Sequence, residues 1–304
     1  SLVAWAIRSQ ADRLLDPACG DGRFLAEHPR CHGVERDPLA AAAVRARLPG
    51  RLLHEGDFFA WASTTAERFE GAVGNPPFIR YQRFTGVARE TALRLCRDHG
   101  VTLTALASSW APFLIGAATL LRPGGRMAFV VPAEIGHAPY ARPVLEYLLA
   151  HFRRVQLIAV QERLFPELSE DCWLLYADGF GATAGQLLLS AQARFTPQPQ
   201  PPTAAQSVAI SRAELDAWNW RLRPFLLPAA ARALYQQLAA RAPRLGDIAR
   251  VGIGYVTGAN DFFHLRPSQA AHLGIPQESL RVAVRNGRAL AELAAITPAV
   301  VAAW

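Results

Sequence analysis

The stretch of this chain with the most definite chemistry is Asn75-Pro76-Pro77-Phe78. Two prolines remove two backbone N–H groups and hold the turn extended. Their carbonyls can then face a pocket without competing donors. Asn75 adds an amide oxygen that accepts hydrogen bonds, and Phe78 adds a flat apolar face. Such a corner suits a planar base carrying an amino group. Upstream, Asp16-Pro17-Ala18-Cys19-Gly20-Asp21-Gly22 reads as a strand running into a glycine-rich turn that opens a helix. Without a Cβ, Gly20 and Gly22 let backbone approach a ligand closely. Leu25 stands where a dinucleotide fingerprint would place its third glycine, which argues against a nicotinamide or flavin pyrophosphate. Glu35 follows Gly20 by 15 residues, at the tip of the next strand, where a carboxylate can accept both hydroxyls of a ribose. Asp37, before Pro38, reads instead as a helix cap. Asp57 and Phe58 follow the third strand: the acid can accept from an adenine amine, and the ring can cover its face.

These residues need strand tips to converge, and the pattern from 13 to 180 supplies them. Strands are predicted over 13–18, 31–36, 51–57, 71–75, 126–131, 155–161 and 173–178. Helices are predicted over 22–28, 38–48, 103–121 and 139–151. Strands alternating with helices imply an α/β, doubly wound, mainly parallel sheet. The connection between the last two strands is too short for a helical crossover, so that pair is expected to be antiparallel. Residues 185–195 could add an edge strand. Thr196-Pro-Gln-Pro-Gln-Pro-Pro-Thr203 reads as an extended linker. A catalytic domain is therefore expected over 1–195, a linker over 196–206 and a second, recognition domain over 207–304. That last region is predicted to hold helices near 212–218 and 228–241 and the glycine-rich run Val251-Gly-Ile-Gly-Tyr-Val-Thr-Gly-Ala-Asn-Asp-Phe-Phe263.

All 32 basic residues are arginine against 25 acids, a net charge of +7. Residues 196–304 carry +5 of it and residues 1–195 only +2. A basic module beside a near-neutral one fits a polyanionic partner. Four cysteines lack zinc or disulfide spacing, which points to a reducing cytoplasm and to no metal. Val101–Leu121 is uncharged and long enough to span a bilayer, yet its Ser, Thr and Pro content and its place between two strands favour a buried helix. Both ends read as the interior of elements, so a longer protein is expected. Arg80, Arg83, Arg89, Arg94 and Arg97 follow the Asn75–Phe78 corner, and either a solvated helix face or phosphate contacts would explain them.

Taken in order, DPACGDG, VERD, GDFF, NPPFIRYQ and LRPGGRMAFVVP make the chain resemble the gamma class of N6-adenine DNA methyltransferases of restriction–modification systems. The resemblance covers residues 1–180 strongly and 207–304 weakly, through the Val251–Phe263 run and Val284-Arg-Asn-Gly-Arg288. It implies a Rossmann-like class I methyltransferase fold with a seven-stranded sheet. It implies that Asp16, Ala18, Gly20 and Gly22 line the methionine part of S-adenosylmethionine, with Glu35 on the ribose and Asp57 and Phe58 at the adenine. It places Asn75, Pro76 and Phe78 at the target base beside the cofactor, with Pro77 completing the turn and Phe165 as a second aromatic wall. Of the segment that precedes the first motif in this class, only Leu2–Ile7 is represented. The implied partner is double-stranded DNA, with the adenine flipped out of the duplex; the oligomeric state is not specified by the sequence, and a monomer is expected. The corner also fits an RNA adenine or guanine methyltransferase, a protein-glutamine methyltransferase, or a catalytically silent DNA-binding module.

Overall fold

In the computed structural model, residues 2–162, 171–195, 201–250, 260–281 and 297 are described. Phe165, residues 251–259 of the glycine-rich run and the segment 284–288 lie outside them, as does the first part of the proline-rich stretch.

One sheet organises residues up to Gln236. Its strands are β1 (Leu14–Asp16), β2 (Cys31–Glu35), β3 (Leu52–Glu55), β4 (Phe69–Gly74), β5 (Leu121–Pro132), β6 (Phe152–Val160), β7 (Cys172–Phe180), β8 (Gln186–Gln192) and β9 (Val208–Ser211). They lie in the order β3-β2-β1-β4-β5-β7-β6-β8-β9. The first five are mutually parallel; β7 inserts antiparallel to both β5 and β6. The short β6–β7 connection thus does what its length requires. The sheet is larger than the seven strands expected: β8 pairs parallel to β6, and β9 pairs antiparallel to β8. The 185–195 strand is therefore internal rather than an edge.

Helices clothe both faces. α1 (Leu2–Ala6), α2 (Arg23–Glu27) and α3 (Pro38–Arg47) accompany one apolar cluster, which includes Trp5, Leu25 and Val44. α4 (Phe58–Ala62), α5 (Gly86–Asp98), α6 (Trp110–Thr119) and α7 (Arg142–His151) build the larger cluster, around Phe59, Trp110, Leu114 and Leu148. Asp37 caps α3 through Leu39 N (2.9 Å), with Pro38 at the first helical position. Arg126 ties α1 to the sheet: its guanidinium donates to Asp178 (2.8 Å) and to the Trp5 carbonyl (3.0 Å). Of the uncharged run 101–121, only Trp110–Thr119 is helical, and nearly all of it is buried. No helix among the described residues is long and apolar enough to cross a membrane.

The domain boundary expected at 196–206 needs correction. The chain re-enters the sheet after it, because the Gln156 side chain donates to the Pro202 carbonyl (2.8 Å) and β9 completes the edge. α8 (Arg212–Ala217) follows, opened by a reciprocal Ser211–Glu214 capping box. Leu215, Trp220, Leu222 and Phe225 then join the larger core. The first compact unit ends near Gln236, within α9 (Ala229–Arg241), and residues 237–304 form a second unit. Described helices of that second unit are short: Leu245–Ile248, Asn260–Phe263 and Pro267–His272.

Candidate active site

Strand order reverses direction at β1, which has β2 on one side and β4 on the other. Parallel sheets leave a crevice beyond the strand tips at such a switch point. The four candidate motifs follow β1, β2, β3 and β4, so the topology brings them to one edge. Contacts join them there. Cys19 N donates to the Val34 carbonyl (3.0 Å), and Gly56 N to the Glu35 carbonyl (2.9 Å). A Cβ on Gly74 would lie 3.3 Å from Pro17, so the end of β4 passes directly against the glycine-rich turn.

Glu35 sits at the centre of the turn. One carboxylate oxygen accepts from Gly20 N and the other from Asp37 N, each at 2.8 Å. Each oxygen has a second lone-pair direction left, so a pair of ribose hydroxyls can still be accepted. Gly20 adopts φ +51°, and a Cβ there would meet nothing within 4 Å. Its backbone therefore borders open space, as a ligand cradle requires. Gly22 has another role. At φ +74° it caps α2, and a Cβ would come within 3.1 Å of Val44. It lets the turn pack on α3, rather than simply lining the crevice as expected.

Asp16 is fully buried. One oxygen accepts from Ala18 N (3.3 Å) and the other has no hydrogen-bond partner. Burial pushes its carboxyl up to about 8, with a smaller contribution from the Glu35 charge. Ala18 is half-buried above it. Asp57 caps α4, accepting from Ala60 N (3.0 Å). Phe58 departs from expectation: it is 3% exposed and stacks on Phe113, centroids 5.3 Å apart and planes 12° apart. It is a core residue here, with one face of its ring packed on Phe113.

Asn75 leaves β4 with its side-chain oxygen buried and without a hydrogen-bond partner. An unpartnered buried acceptor is costly, and a donor that arrives from elsewhere would satisfy it. Pro76 is buried, Pro77 and Phe78 are half-buried, and Phe78 packs at the junction of the two apolar clusters. The corner is also held from outside. Ser109 Oγ donates to the Pro77 carbonyl and accepts from Ile79 N (2.9 Å), while Ser109 N donates to the Ile79 carbonyl (3.0 Å). Sequence reasoning missed Ser109. A serine before an apolar helix signals an N-cap, and it stands in that place, but its hydroxyl makes no cap bond. No His/Cys/Asp/Glu group suited to a metal occurs among the described residues.

Known proteins resemble this chain in fold and in sequence. The crystal structure of the type IIG restriction endonuclease BpuSI superposes with a TM-score of 0.57 at 16% identity, covering 92% of this chain and 38% of that one. A curated tRNA1(Val) (adenine(37)-N6)-methyltransferase of Actinobacillus succinogenes is 33% identical over 150 residues, 44% of this chain and 59% of its own length. The Type II methyltransferase M.XamI of Xanthomonas campestris pv. amaranthicola is 24% identical over 279 residues, 86% of this chain and 50% of its own. Residues 220–297 match the family model of the C-terminal domain of the Type II methyltransferase M.Eco57I. In fold and strand-tip motifs the chain is similar to S-adenosylmethionine-dependent methyltransferases. Within that class, the chain is similar to the N6-adenine methyltransferases of restriction–modification systems. It spans between half and three-fifths of the length of these curated relatives.

Proposed function

We propose that this chain binds S-adenosylmethionine at the tips of β1 to β3 and methylates N6 of an adenine extruded from duplex DNA. The observation that carries the reading is the buried, unpartnered Asn75 oxygen beside the glycine-rich turn. The cofactor supplies an electrophilic methyl group on a sulfonium. Gly20 gives it room, Glu35 accepts from its ribose, and Asp57 keeps an oxygen for its adenine amine.

Adenine N6 is a weak nucleophile because its lone pair is delocalised into the ring. If Asn75 Oδ1 and the Pro76 carbonyl accept its two hydrogens, the nitrogen is drawn toward tetrahedral geometry and its lone pair is freed for attack. That lone pair would take the methyl group of the bound cofactor as the C–S bond breaks, and the nitrogen would release one proton to solvent. Positioning and preorganised acceptors carry the rate, and no cysteine nucleophile is needed. All four cysteines are buried free thiols, as in a cytoplasmic protein. Phe78 stacks on the flipped base, offsetting part of the cost of unstacking, a few kcal/mol. Phe165 is the proposed second wall. The enzyme needs no partner subunit in this scheme.

Duplex DNA is favoured over RNA on two grounds. The family model on residues 220–297 describes the C-terminal domain of a Type II methyltransferase, and the basic excess lies in that same part of the chain. M.XamI also aligns with 86% of the chain, against 44% for the tRNA methyltransferase. The test is labelled methyl transfer to plasmid duplex, total tRNA and a mixed protein pool side by side. N6-methyladenine in the duplex is expected; label confined to RNA or protein would replace this reading.

A further inference from the structure

We propose that Ser109 is the positioning residue of the Asn75–Phe78 corner, holding it in register for methyl transfer; this rests on the function proposed above. The Ser109 hydroxyl is in an unexpected service. Ser109 is at the N-cap of α6, where serine normally accepts from the helix's own first-turn N–H groups. Its backbone is already helical there, and its side chain makes no cap bond. Instead the hydroxyl uses donor and acceptor together on one loop, giving its hydrogen to Pro77 O and taking that of Ile79 N at 2.9 Å. The Ser109 backbone N–H adds a third bond, to Ile79 O at 3.0 Å.

The need for such a clamp follows from the corner's composition. Pro76 and Pro77 fix φ but have no N–H, so this stretch cannot staple itself with backbone donors. The stiffness the prolines give is local, and the direction in which the corner leaves β4 must be set by something else. Ser109 comes from a distant segment and is completely buried, so water cannot readily replace it. It is itself fixed by its neighbour. Trp110, also fully buried, donates from its indole nitrogen to Glu134 (2.7 Å) and contacts the Tyr140 hydroxyl (3.0 Å), which donates to Glu134 as well. Glu134 follows β5, the parallel neighbour of β4. The clamp thus spans from the tip of β5, through the start of α6, to the residues following β4.

The experiment compares the full chain with its Ser109→Ala, Ser109→Thr and Trp110→Phe variants. Turnover on plasmid duplex at saturating cofactor should fall more than about tenfold in Ser109→Ala, since small misplacements of reacting groups cost rate steeply. Binding of S-adenosylhomocysteine should stay within about twofold, because the hydroxyl touches only the corner side. Ser109→Thr, which keeps the hydroxyl, should recover most of the rate, and Trp110→Phe should lose rate to a smaller degree. Amide exchange of the 75–80 segment should quicken in Ser109→Ala while β4 and β5 stay protected. Unchanged turnover together with unchanged exchange in Ser109→Ala overturns the proposal, as does Ser109→Thr behaving like Ser109→Ala. Should the wild-type chain methylate neither DNA, RNA nor protein, the function reading fails, and the exchange comparison still decides the clamp. If Ser109→Ala does not fold, Ser109→Thr and Trp110→Phe decide it by the same readouts.

Discussion

The turn after β1 and the corner after β4 lie against each other, yet they are fixed by opposite means. In the turn, one carboxylate does both jobs: Glu35 bridges Gly20 N and Asp37 N at 2.8 Å each, and each oxygen keeps a lone pair for the proposed ribose. In the corner the jobs are divided. Asn75 presents an acceptor with no structural bond of its own, while Ser109 supplies the bonds that hold the loop. Shape and binding are therefore inseparable on the cofactor side and separable on the base side. That difference predicts how substitutions at each should behave.

The largest effect is expected at Asn75. Asn75→Ala removes an acceptor that no described hydrogen bond uses, so the fold should keep its melting temperature. Methyl transfer to duplex DNA should drop about 10²–10³-fold, the range seen when one preorganised polar group is removed from a reacting centre. Cofactor affinity should hold within about twofold by calorimetry. Transfer that persists within a few-fold would break the assignment of the corner to the amino group. Next in size is Glu35→Gln. The amide keeps one oxygen acceptor, but its –NH₂ end faces a backbone N–H that it cannot accept from. Cofactor affinity should fall roughly tenfold to a hundredfold, given about 1.5–3 kcal/mol for hydrogen bonds to a charged group. Turnover at saturating cofactor should stay within about threefold. A loss of turnover with affinity intact would reverse the proposed division of labour.

Much of the cofactor side could be read from the sequence because it is local. Strand, glycine turn, next strand and carboxylate arrive in chain order, and the bond that ties the turn to the carboxylate joins Gly20 and Glu35, only 15 residues apart. The corner's residue types were legible for the same reason. Its clamp was not: Ser109 lies 30 residues from Ile79, and the uncharged run around it read as the interior of one helix over 103–121. Phe58 was misread because an aromatic after a strand-end acid is chemically suited to a base, while packing on Phe113 depends on where α6 lands. β9 escaped because prolines before it read as a linker, and only the tertiary pairing with β8 shows the chain returning. Helix α5 was not predicted as an element either, since it follows directly on a turn and mixes arginines with its buried stripe of Ala92, Leu95 and Cys96.

The two sides also differ in their orphaned oxygens. Asn75 Oδ1 cannot titrate, whereas Asp16, with its own unpartnered oxygen, can. Burial raises the Asp16 carboxyl from 3.8 to about 8. The folded protein thus keeps a proton that the unfolded chain has lost above about pH 4, so it binds more protons throughout that interval. Stability should accordingly be intact below the unfolded value and decline as pH rises toward 8. Asp16→Asn carries no charge and keeps an acceptor for Ala18 N. Without ligand, its melting temperature relative to wild type should be higher at pH 9 than at pH 5. The scale is roughly 2–4 °C for each kcal/mol recovered at this chain size. A difference independent of pH would show that Asp16 stays ionised in the folded state, by a route other than the Ala18 bond.

The smallest effect separates two arginines beside the corner. Arg89 is engaged internally: it donates to the Phe84 carbonyl (3.1 Å) and the Ala105 carbonyl (2.7 Å), and its guanidinium lies 5.7 Å above the Phe84 ring. Arg83 is exposed on the segment that leads from the corner into α5. If the polymer approaches from the base side, Arg83→Ala should weaken duplex binding a few-fold on every sequence and flatten the dependence of log K on log salt by about one unit. Arg89→Ala should leave that slope alone and lower the melting temperature, because it strands two carbonyls and uncovers a ring. Both quantities come from salt-titrated binding and thermal melts on the same samples. A slope shared by both variants would mean that Arg89 reaches phosphate despite its internal bonds, and a slope changed by neither would move the DNA track away from the base side.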